Sequence, residues 1–93
     1  MGEKRDFFMP VLSRFYGIVI RMYFQQSEHN PPHFHAFYGD YIAAISINDN
    51  TILEGELPKK VLDMVLKWNT IHKDALLKIW KTQEFIALSP LPQ

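Results

Sequence analysis

The chain has 93 residues, a formal net charge of zero, 47% hydrophobic and 14% aromatic residues, and no cysteine. One small domain with a packed interior fits that length and composition, which exclude a disordered chain, a disulfide framework and a thiolate zinc site. No apolar run approaches the roughly 20 residues that span a bilayer, and no signal-peptide pattern is present, so a cytoplasmic protein of bacterial type without membrane contact is expected.

Charge is spread unevenly beneath the zero total. Residues 1–24 set four basic side chains against two acidic ones, a balance of +2. Residues 25–57 hold Glu28, Asp40, Asp49, Glu54 and Glu56 with no lysine or arginine, a balance of −5. Residues 58–93 carry six lysines against three acids, a balance of +3. The acidic middle third favours a bound cation over a nucleic-acid backbone, unless folding brings Arg14, Arg21 or the helix lysines alongside.

In chain order, residues 1–8 read as a charged, flexible leader, and residues 9–93 as the single domain. Residues 17–24 are rich in β-branched and aromatic side chains and read as a strand, with Ile18, Ile20, Met22 and Phe24 on its core face. Arg21 and Tyr23 leave the other face. Residues 25–32 form a polar loop that Pro31-Pro32 stiffens. Residues 33–38 are a second strand. Gly39-Asp40 suits a type II′ turn, residues 41–47 return antiparallel, and residues 51–57 follow a turn at Asn48-Asp49-Asn50 as a fourth strand.

The tight turn at Gly39-Asp40 sets Tyr38 opposite Tyr41, Phe37 opposite Ile42 and His35 opposite Ala44. Pairing Ile47 with Ile52 would then put Gly55 beside Ala44 and leave open space above His35. Pro58 is placed as the first residue of a helix over residues 58–84. A polar stripe from Lys60 to Lys81 stays in phase beside an apolar one of Val61, Val65, Trp68, His72, Leu76 and Ile79. That phase predicts one helix, with a bend or break at Asn69-Thr70 as the alternative. The tail from Ala87 packs loosely or extends the sheet edge. The predicted fold is α+β: an antiparallel sheet of about four strands with a long C-terminal helix on one face.

The chemistry lies in Glu28–Ala36, where three of the four histidines fall within seven positions. His33 and His35 leave one face of a strand, roughly 6–7 Å apart at their Cα atoms, so both imidazoles can converge on one ion. His29 across the stiff loop could be a third ligand. His29, His33 and His35 with a water would make an open zinc-type site that lowers the water's pKa. A metal-free reading uses two or three of the histidines, His33 and His35 first, as general base and acid in phosphodiester cleavage, with Arg14 or Arg21 and Tyr23 or Tyr38 in auxiliary roles. In a third reading the histidines only hydrogen-bond the backbone at the hairpin entry. Glu54 and Glu56 form a carboxylate pair or a solvated strand edge. His72 reads as a core histidine, Trp68 and Trp80 as core, and the lysine stripe as a solvated face.

Met9-Pro10-Val11, Arg14-Phe15-Tyr16-Gly17-Ile18, Ile20-Arg21-Met22-Tyr23, Pro31-Pro32-His33-Phe34-His35-Ala36, Glu54-Gly55-Glu56-Leu57-Pro58 and Trp68-Asn69-Thr70-Ile71-His72 together resemble the bacterial family called domain of unknown function 4160. The likeness runs over about residues 9–84. It implies no activity. It does imply a toxin–antitoxin-type setting with a small protein partner encoded alongside, notably of the kind called domain of unknown function 2442. It also marks Arg14, Arg21, Tyr23, His33, His35, Glu54 and His72 as the matching positions that could carry function. Two expectations follow: a His-based ligand or metal site, with ribonuclease activity as its sharpest form, or a non-enzymatic regulatory module acting through a protein partner or as a homodimer. RNA enters as a partner only through the first.

Overall fold

A computed structural model describes residues 9–23 and 31–92. The leader over residues 1–8, Phe24, the loop over residues 25–30 with His29, and Gln93 lie outside the described residues. Five strands precede one helix: β1 (Val11–Phe15), β2 (Ile18–Arg21), β3 (His33–Tyr38), β4 (Tyr41–Ser46), β5 (Thr51–Gly55) and α1 (Lys59–Thr82). The sheet is an antiparallel meander in the order β1-β2-β3-β4-β5. The architecture is therefore α+β as predicted, with β1 the strand that the four-strand expectation lacked.

Each hairpin follows from its turn chemistry. Tyr16 and Gly17 both take positive φ, 50° and 80°, as a two-residue turn between β1 and β2 demands. Gly39 has φ 57° and Asp40 is not among the positive-φ residues, in keeping with the predicted II′ form. The predicted register of β3 on β4 holds throughout, from His33 opposite Ser46 to Tyr38 opposite Tyr41. The next register departs from expectation. Ile47 lies in the turn, Ile45 pairs with Ile52, and a bulge sets Glu54, not Gly55, opposite Ala44.

Alternation sorts the sheet into two faces. Ile18, Ile20, Phe34, Ala36, Ala43 and Ile45 are buried beneath α1 with Leu12, Met22 and Ile47. The helix contributes Val61, Val65, Trp68, Asn69, Leu76 and Ile79. Trp68 is the centrepiece, stacked on Phe15 at 5.7 Å and edge-on to Phe34 at 5.5 Å. Helix α1 runs unbroken through Asn69-Thr70. Pro58 caps it instead of beginning it, with its carbonyl accepting the Leu62 N–H at 2.8 Å.

Asn69 keeps its place in an apolar stripe by turning its amide to the β4–β5 turn. Its Nδ2 donates to the Ile47 carbonyl at 3.1 Å and to Asn50 Oδ1 at 2.9 Å. The tail then runs along the β1 edge, where Leu88 N–H donates to the Leu12 carbonyl at 2.8 Å and Leu91 is buried. His72 Nε2 and Trp68 Nε1 both reach the Ser89 carbonyl, each at 2.9 Å. Among the described residues no helix is long and apolar enough to cross a membrane.

Candidate functional site

Among the described residues the helix covers one face of the sheet and none covers the other. Across that open face the ladders align Arg21, His35, Ala44 and Glu54 in one row over β2, β3, β4 and β5. Ala44 has only a methyl group, so a trough opens over β4 between His35 and Glu54. Two adjoining recesses, of about 300 and 270 Å³, share His35, Ala44 and Glu54 as lining. Tyr23, Ile42 and Gly55 close one end; Pro31, His33 and Leu53 close the other. The open space predicted above His35 is there, with a carboxylate on its far wall where the sequence reading had set glycine.

The bulge in β5 is what supplies that carboxylate. With Ile52 paired to Ile45, a regular ladder would set Leu53 opposite Ala44 and turn Glu54 toward the helix and the core. One extra residue shifts the parity, so Glu54 reaches the row of His35 and stays hydrated. Gly55 permits this with φ 83°.

The imidazoles lie together. His33 and His35 have ring centroids 5.3 Å apart, and Tyr23 meets His35 edge-on at 4.8 Å. His33 also packs on Trp80 of α1 at 5.1 Å, so the end of the helix braces it. Its Nδ1 lies 2.8 Å from the Pro31 carbonyl, which can only accept, so that nitrogen carries the hydrogen and Nε2 is left for a ligand. His35 is half-buried, and its Nδ1 is shut in without a partner among the described residues. Protonation would bury a charge there. Desolvation accordingly pushes its pKa below 6.5; the neighbouring His33 lowers it further and Glu54 partly raises it.

That shift has a stability consequence with a definite sign. A histidine whose folded pKa lies below its unfolded value stabilises the fold fully above about pH 6.5, and loses that contribution as pH falls through the lower folded value. Urea unfolding between pH 7.5 and 5 is expected to show wild type losing stability faster than His35→Gln. Imidazole resonances should show His35 titrating nearer its ordinary value in His33→Ala, because a like charge is gone.

Arg21 adjoins His35 in the ladder, but its guanidinium turns aside. One N–H donates to the Met9 carbonyl at 2.9 Å, and the group sits 5.8 Å from the centre of the Phe37 ring. Arg14 is exposed on β1. His72 stands apart, on the helix against Trp68 and Ser89, where it fastens the tail. Glu54 is the member that the sequence pattern left as one of a carboxylate pair or a solvated edge and that the resemblance marked; the bulge that aims it shows in the sequence only as Gly55. His29, the third expected metal ligand, lies outside the described residues, and among those residues no three His, Asp or Glu side chains are grouped to hold a metal ion.

The sequence model of the family described as Domain of unknown function (DUF4160) matches residues 17–81. No curated protein and no solved structure matches the chain.

Proposed function

This chain belongs to the DUF4160 family, and we propose that its outer-face trough is the working site of a small toxin–antitoxin-type ribonuclease. The observation that carries the reading is the paired imidazoles at the trough wall: half-buried His35, its pKa lowered, 5.3 Å from His33, whose Nδ1 is already anchored. One neutral and one protonated imidazole are the two partners that RNA cleavage needs. His35 Nε2 takes the proton of a ribose 2′-hydroxyl as that oxygen attacks phosphorus. The bond from phosphorus to the 5′-oxygen breaks, and His33 Nε2–H gives that oxygen its proton. The products are a 2′,3′-cyclic phosphate and a free 5′-hydroxyl. Tyr23, beside His35, donates to the phosphate, and Arg21 lends positive charge from one strand away.

The expected result is cleavage of unstructured RNA by wild type, reduced about 100-fold in His33→Gln and in His35→Gln, with urea midpoints showing both folded. A divalent ion held by His29, His33 and His35 is the metal-dependent form of the same proposal. Metal analysis of the purified protein and activity after chelation separate the two forms. Retention of cleavage in both variants would sink the nuclease reading.

One feature favours a binding module instead. Among the described residues β5 is an edge strand, and Leu53 is 46% exposed on it, as Ile42 (49%) and Tyr41 (42%) are on neighbouring β4. The opposite edge has the tail against it. An open apolar edge accepts a strand from a partner protein. In that reading the histidines are structural, and their variants change stability while partner affinity persists.

A further inference from the structure

The trough has more built into it than two imidazoles. Its far wall is a carboxylate brought into the histidine row by the β5 bulge, and Glu54 lines both recesses. Its floor is the Ala44 methyl, with Ile42 and Leu53 toward the two ends. Its near wall is aromatic. The matching ligand is flat, tolerates apolar contact on its faces and offers hydrogen-bond donors along one edge, because a carboxylate only accepts.

A nucleobase has that form, and the row orients it. Arg21 and Glu54 stand three strand spacings apart, about 14 Å, with the imidazoles between them. Charge is therefore polarised: arginine at the β2 end, carboxylate at the β5 end. A phosphate belongs toward the first and a base edge toward the second. Single-stranded RNA is read this way, with unstacked bases resting on aromatic rings and bonded through their edges.

The four bases differ in what they show a carboxylate. Uracil offers one N–H between two carbonyl oxygens, which the charge repels. Adenine and cytosine offer an amino group beside a ring nitrogen that accepts. Guanine alone sets two donors side by side, N1–H and the N2 amino group, and these match both carboxylate oxygens in one plane.

We propose that the trough binds the guanine base of single-stranded RNA, with Glu54 as the specificity-determining residue. This rests on the ribonuclease reading for its place in a reaction, but it is tested separately from that reading. Glu54 reads the base and leaves proton transfer to His33 and His35.

The experiment titrates the full-length, isotope-labelled protein with guanosine, adenosine, cytidine and uridine 3′-monophosphates, following amide and imidazole resonances. Guanosine 3′-monophosphate is expected to bind at least about tenfold more tightly than the others and to shift Glu54, Ala44 and His35. Glu54→Gln keeps the size of the side chain but trades one acceptor for a donor. It should remove that preference, by weakening guanosine binding, while leaving the urea midpoint unchanged. Equal affinity for all four nucleotides, no binding at all, or a preference that survives in Glu54→Gln overturns the proposal. Cleavage of a mixed-sequence RNA keeps the two ideas apart. Scission after guanosine that loses its base preference in Glu54→Gln supports this proposal, whereas scission indifferent to the base overturns it and leaves the nuclease standing. Selective guanosine binding without scission supports the pocket and removes the nuclease.

Discussion

Trp68→Ala is expected to lose about 3–5 kcal/mol of stability, the range for emptying a large aromatic site in a core. Trp68 is fully buried, and its ring is the common contact of Phe15 from β1 and Phe34 from β3. Its removal leaves both rings facing a void and unlinks the helix from two strands at once. Its indole N–H also helps to hold the tail at Ser89, so alanine leaves that carbonyl to His72 alone. A small domain has about 5–15 kcal/mol in all, so the loss is a large fraction of the total and brings the variant near its unfolding midpoint at the low end of that range. Urea unfolding followed by Trp80 fluorescence checks this, since Trp80 remains as a probe. Trp68→Phe separates the contributions: the ring stays, the hydrogen bond goes, and the loss should fall to about 1–2 kcal/mol. Equal losses in the two variants would mean that the tail, and not the core, carries the effect.

What the sequence shows of this fold is what alternation and turn chemistry can encode. Gly39-Asp40 announces a two-residue hairpin, and the register that it dictates, His35 opposite Ala44, is the one observed. The apolar stripe of α1 is legible because it keeps one phase from Val61 to Ile79, and the helix is continuous. β1 was lost for the opposite reason. A register shift between Val11 and Ser13 leaves consecutive Leu12 and Ser13 both buried, so the strand breaks the period of two that would have revealed it.

The same limit governs the site. His33 and His35 on one strand face needed only the period of two, and their rings do meet. Arg21 was placed correctly on the face away from the core, but nothing in the sequence set it beside His35 or foretold that the Met9 carbonyl and the Phe37 ring would hold its guanidinium aside. Glu54 needed the β5 bulge. A bulge is written in the backbone conformation of one residue, and Gly55 was the single clue: a glycine next to a strand carboxylate, two residues before a core leucine. An isolated glycine in a strand pattern is a reason to suspect a bulge, and following that clue would have turned Glu54 toward His35.

Gly55→Ala tests that dependence and should lose about 4 kcal/mol, the sum of two effects. The residue has φ 83°, which an alanine adopts only at a cost of about 1–2 kcal/mol. A Cβ there would also fall onto the Ile42 carbonyl oxygen and stand 3.0 Å from Ala43 Cα. Both are backbone atoms of β4 and cannot swing away, so the strands must part, at about 2–3 kcal/mol. The Glu56 N–H bond to that same Ile42 carbonyl, 3.2 Å long, would go with them. Gly39→Ala is the control, because its φ is 57° but nothing lies within 4 Å of an added Cβ; it should cost only the backbone part. Urea midpoints of the two variants measure the difference. The folded fraction of Gly55→Ala carries a second signature, since displacing β5 moves Glu54 away from His35. The carboxylate opposes the lowering of the His35 pKa, so its withdrawal should push His35 lower still in an imidazole titration. A His35 that titrates unchanged in a destabilised Gly55→Ala would show that the bulge supports the sheet without aiming Glu54.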